Sequence, residues 1–144
     1  MRLPSTPVFV EEAASSDLYE VAAGKLASEK GQSEAVKTFG RHMVEAHSKT
    51  TEALKAIVQS EKLAVTLPTE LTNKQQSMLD SLAEAKPEAF DPLYIEQQIK
   101  AHEEAADLFD KYAERGENQA LKQFAANILP TIKRHLEEAG KLKP

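Results

Sequence analysis

The chain has 144 residues, 41% of them hydrophobic and 28% charged, with a net charge of −5 and no cysteine. That is an ordinary globular mix with room for one core, and its acidity argues against a nucleic-acid surface or an anionic membrane as partner. Without thiols, disulfides, thiolate metal sites, iron–sulfur clusters and cysteine nucleophiles are excluded.

No stretch approaches the ~20 apolar residues of a membrane span. The start, Met1 to Pro7, lacks the apolar central region of a signal peptide. Period-two alternation is absent, and helical spacing runs almost throughout.

Ser5, Thr6 and Pro7 supply a cap and a first-turn proline for a helix running to about Lys30, stopped by Gly31. Ser33 caps a second helix, which continues to about Lys62 ahead of Pro68. Thr72 and Gln75 have the spacing of a capping box. They open a short helix to about Ala85, closed by Pro87. Asp91-Pro92 reads as a cap followed by a proline at the first helical position. The helix it opens runs to about Arg115 and ends at Gly116. Asn118 caps the last long helix, which runs to about Ala139 and ends at Gly140. Pro130 inside it removes a backbone hydrogen bond, giving either a tolerated kink or one that re-aims His135.

The first and last pairs of long helices are each joined by about two residues, so each is an antiparallel hairpin. The middle connection is long enough to cross a bundle. These features predict an all-α, ferritin-like four-helix bundle as a single domain over residues 7–142. Its helices span 7–30, 33–62, 91–115 and 118–139, with a crossover helix over 72–85. A weak repeat supports two related hairpins: Ser28 to Phe39 resembles Ala113 to Phe124, an offset of 85. At that offset Asp17 falls on His102 and His47 on Ile132, one turn short of His135.

At 100° per residue, His47 is central in the second helix's stripe of Val36, Phe39, Met43, Leu54 and Val58. His102 is central among Ile95, Gln98, Ala105 and Phe109. His135 falls within the stripe of Leu121, Phe124, Ile128 and Ile132, off centre. His42 lies outside its stripe. The first helix is alanine-rich, with Asp17 near the middle of its inward face and Glu20 near the edge. Tyr19, Tyr94 and Tyr112 read as packing, with Tyr94 placed to hydrogen-bond into the core.

Inward imidazoles and carboxylates are how a bundle builds a metal site. The candidate ligands are His47, His102 and His135, with Glu20 or Asp17 as the oxygen donor. The residues three before these histidines are Val44, Ile99 and Ile132. The Glu-x-x-His pairs of di-iron bundles are therefore missing. An imidazole-rich set suits one divalent transition metal, Zn, Cu, Ni or Fe, better than a carboxylate-bridged pair.

The pieces Phe9-Val10 through Ala14, Glu20-Val21, Val44 to His47, Phe90 to Tyr94, His102, Leu129-Pro130 and His135-Leu136 together resemble the DUF4142 family of bacterial proteins. The resemblance spans about Phe9 to Leu142. Family members are often labelled outer-membrane proteins and have a ferritin-like four-helix fold. The resemblance implies Glu20, His47, His102 and His135 as the family's characteristic polar positions, and a periplasmic or envelope location. It implies no reaction. The missing export signal leaves the cytoplasm open as well.

The leading expectation is therefore a metal-binding bundle for metal handling or envelope stress protection. The alternative is a non-metal interaction or structural module whose inward histidines are hydrogen-bonded core groups. An enzyme ranks last, because the sequence supplies no nucleophile with its base and no phosphate loop. A homodimer is left open.

Overall fold

The computed structural model describes residues 3–144. Met1 and Arg2, part of the start read above as lacking a signal-peptide pattern, lie outside the described residues. Five helices follow in order: α1 (Thr6–Lys30), α2 (Glu34–Ser60), α3 (Asn73–Glu84), α4 (Pro87–Arg115) and α5 (Gln119–Lys141). Among the described residues there is no strand. No helix among the described residues is long and apolar enough to cross a membrane.

The caps read from sequence are made by real hydrogen bonds. Ser33 Oγ accepts from Val36 N at 3.1 Å, and Asn118 Oδ1 accepts from Leu121 N at 3.0 Å. Thr72 and Gln75 form both halves of their capping box. The last helix passes through Pro130 without a break, because Pro130 lies on the exposed side. There, water can serve the carbonyl that loses its partner.

One boundary needs correction. The helix expected over 91–115 begins at Pro87, which opens α4 rather than closing α3. Either proline could fill the first turn of a helix. The choice is made by Asp91, whose buried carboxylate lies in α4 and accepts from the backbone of Gln32 and Ser33, at 2.9 and 3.0 Å. Asp91 thus caps the neighbouring helix α2 rather than its own. Smaller differences lie at the far end, where α5 continues through Gly140 to Lys141.

Helix α1 packs along α2 and α4 along α5, with α1 also against α4 and α2 against α5. The crossover helix α3 leans on α1 and α4, where Gln75 Nε2 donates to Ser15 O and Gln97 Nε2 to Met78 O. Gly24 and Gly40 let α1 and α2 approach closely. A Cβ on Gly24 would lie 2.6 Å from the Gly40 carbonyl.

The apolar interior is divided in two. One cluster joins Phe9, Leu54, Phe109, Tyr112, Leu121 and Phe124. The other joins Tyr19, Val36, Met43, Leu82, Phe90 and Tyr94. On every long helix the chain passes from one cluster to the other across a polar step: Asp17 and Glu20 on α1, His47 on α2, Gln98 and His102 on α4, and His135 on α5.

Candidate metal centre

This polar layer is costly to bury, because each group loses its water. Asp17, Glu20 and His102 are respectively 3%, 1% and 2% exposed. The structure brings His47, His102 and His135 together. One ring nitrogen from each lies within 4.8 Å of those of the others, and their ring centroids are 5.9–6.5 Å apart. The carboxylates are not part of that close group of nitrogens. His42 is exposed, as its place outside the stripe predicts.

Two of the three rings are held from behind. His47 Nδ1 donates to Asp17 Oδ1 at 2.7 Å, and Thr51 Oγ1 donates to Asp17 Oδ2 at 2.8 Å. His102 Nδ1 donates to the Gln98 carbonyl, one turn earlier, at 2.8 Å. In the neutral rings both bonds fix the proton on Nδ1 and leave Nε2 as a lone pair. Those two Nε2 atoms are buried and have no hydrogen-bond partner among the described residues. A neutral imidazole with its second nitrogen anchored is the form in which histidine binds a metal.

Electrostatics agree with the geometry. Burial lowers His102 to about 4 against its bond to Gln98 O, with His47 and His135 adding to the fall. Burial also lowers His135 to about 4, helped by His47 and opposed by Glu138. Both rings are therefore neutral at physiological pH. His47 differs. Burial pulls it down, but the Asp17 hydrogen bond and the charges of Glu20 and Asp17 outweigh this and raise it. Burial raises Glu20 to about 7, moderated by His47 and Gln98.

Glu20 belongs to a second polar group deeper in the interior. Its Oε1, the Tyr94 hydroxyl and both side-chain atoms of Gln98 are buried without a hydrogen-bond partner among the described residues. Tyr94, expected to bond into the core, is fully buried among them. Beside this group the Tyr19 hydroxyl, read from sequence as packing, donates to Gln97 Oε1.

The histidines line a cavity of about 480 Å³. Its wall includes Ala13, Ala105, Phe109 and Ile128, and its rim carries His42, Lys49 and Arg134. Thr51 escaped the sequence reading, although its position one turn after His47 is the signal that would have found it.

An all-helical protein with a layer of histidines and acids across its interior is the class these features define. The chain matches the family model for a domain of unknown function, DUF4142, over residues 2–142. It belongs to that family. No curated protein and no solved structure matches the chain.

Proposed function

We propose that the protein is a ferritin-like four-helix bundle, a single domain over residues 7–142, that binds one divalent transition metal. Its role would be metal handling or stress protection in the cell envelope rather than catalysis. The observation that carries this reading is the convergence of one ring nitrogen from each of three helices, on rings of which two carry a buried Nε2 with no hydrogen-bond partner among the described residues. In a tetrahedral zinc site two ligating nitrogens lie about 3.3 Å apart, so side-chain shifts on the order of an ångström close the set.

In this reading His47, His102 and His135 are the ligands. Asp17 holds His47 in its ligating tautomer, and Glu20, which lines the same cavity, is the further oxygen donor. The imidazole-rich set favours Zn, Cu, Ni or Fe over Mg or Ca. The alternative, a structural bundle with hydrogen-bonded core histidines, needs a partner for each ring. Among the described residues, only the Nδ1 side of His47 and His102 has one. The envelope location rests on family resemblance.

The test is metal analysis of protein purified without a histidine tag and reloaded with zinc, copper or nickel. One ion per chain is expected, lost in His47→Ala/His102→Ala. A stoichiometry near zero, or one unchanged in the double variant, sinks the reading. Circular dichroism of the variant separates loss of metal from loss of fold.

A further inference from the structure

The cavity over the histidines is larger than an ion and its water require. At about 480 Å³ it falls in the range of small-molecule sites. All three histidines face it, so a metal held by them has a side open to the cavity. Neutral imidazoles cancel none of a divalent ion's charge, and Glu20, which lines the same cavity, cancels at most one unit of it, with Asp17 engaged by His47 and Thr51. An anionic donor from outside is therefore favoured, and first-row ions accept a fifth ligand readily.

Part of the lining is of different chemistry. Ala13, Ala105, Phe109, Ile128 and Ile132 present hydrocarbon from α1, α4 and α5. Water alone is poorly served by such a wall, whereas a hydrocarbon tail is buried by it. The entrance lies between α2 and α5. It carries exposed His42, Lys49 and Arg134, along with the acids Glu45 and Glu138. Glu45 is paired with Lys49 at 3.1 Å.

From this combination we infer that the site takes a small carboxylate with a short hydrocarbon tail, its head on the metal and its tail along the Ala105–Phe109–Ile128 wall. The inference rests on the metal reading. It makes the protein a carrier of a metal–carboxylate pair rather than of a bare ion.

Cobalt(II) reports the two steps separately, because its visible d–d spectrum appears on binding and changes again when a further ligand joins. Cobalt-loaded protein is titrated with acetate, butanoate and hexanoate, and with azide as a compact anion. The carboxylates are expected to change the spectrum saturably, with affinity rising about fourfold per added methylene. Ala105→Phe, or the milder Ala105→Leu, fills the wall and flattens that dependence while cobalt still binds. A cobalt spectrum that no carboxylate alters overturns the inference, as does a response to azide alone or an affinity indifferent to chain length. Absence of any cobalt spectrum overturns the metal reading itself, and is seen before a carboxylate is added.

Discussion

The Asp17 carboxylate accepts the Nδ1 proton of His47 at 2.7 Å, and so, in the neutral ring, leaves the other nitrogen as a buried lone pair with no hydrogen-bond partner among the described residues. Thr51 holds the second carboxylate oxygen, so Asp17 is itself oriented. Carboxylate, imidazole and open nitrogen thus form a chain across α1 and α2 that ends at the histidine cluster. Outer partners of this kind fix ring orientation and raise the ligand's basicity.

Asp17→Asn keeps the size of the side chain and removes its charge. Metal affinity is expected to fall roughly 10- to 100-fold with the stoichiometry unchanged. Competition against a chromophoric chelator measures it. An affinity equal to that of the wild type removes Asp17 from the site.

Metal binding must also displace protons, and the rings differ in how many they hold. His102 and His135, lowered to about 4, are already neutral at pH 7. His47 is raised above its usual value and Glu20 to about 7, so these two groups hold their protons to higher pH than the other rings do. Affinity is therefore expected to fall as pH drops through about 7, where Glu20 takes up its proton, with a proton released on metal binding in that range. Protonation of the other two rings steepens the loss only near pH 4. Calorimetry in two buffers of different ionisation enthalpy counts the protons. A count of zero at pH 7 contradicts the assignment.

Glu20 gives a separate signature in metal-free protein. Its folded value of about 7 lies above the ordinary 4.5, so the folded state keeps a proton that the unfolded chain has released. Its contribution to stability is fully present below about 4.5 and is lost as pH rises through about 7. Glu20→Gln removes that loss. The variant should match the wild type near pH 4.5 and exceed it by on the order of 1–3 kcal/mol above pH 7. Urea unfolding at the two pH values decides this, and a constant difference contradicts it.

The inward histidines were legible because α2, α4 and α5 carry clear apolar stripes, and a residue's angle on such a helix predicts its burial. Glu20 was less legible. On alanine-rich α1 small residues surround the whole helix, so partners on both sides bury what the wheel places at an edge. The start of α4 was ambiguous for a different reason. Pro87 and Asp91-Pro92 are equally good local signals, and the deciding contact joins Asp91 to Gln32 and Ser33, far away in sequence. The polar layer between two apolar clusters is likewise a property of four helices at once. The repeat did carry part of it: it matched Asp17 to His102, and both stand in that layer.

Asp91→Ala should separate stability from the site. It strips two charge-assisted bonds from the part-buried backbone amides of Gln32 and Ser33 at the start of α2, at a cost of about 3 kcal/mol. Metal affinity of the folded fraction should be unchanged, because Asp91 touches none of the histidine layer. Denaturant midpoints together with chelator competition test both halves. A large loss of affinity would mean that the α2 start and the site are coupled.

Gly24→Ala should do the opposite and affect both. The new methyl would meet the Gly40 carbonyl at 2.6 Å and Val44 Cγ2 at 2.9 Å. Helix backbone cannot yield as a flexible side chain can, so α1 and α2 must move apart. Overpacking of this kind costs roughly 1–3 kcal/mol. The same displacement lengthens the Asp17–His47 bond, which lies about two turns along the same helix pair, roughly 10 Å away at 1.5 Å per residue. Metal affinity should therefore fall along with the denaturant midpoint. Gly140→Ala is the control, since nothing lies within 4 Å of its added Cβ, and it should be neutral or stabilising by up to about 1 kcal/mol. If Gly24→Ala lowers stability but leaves metal affinity at the wild-type value, the close approach of the two helices serves packing alone and does not set the position of His47.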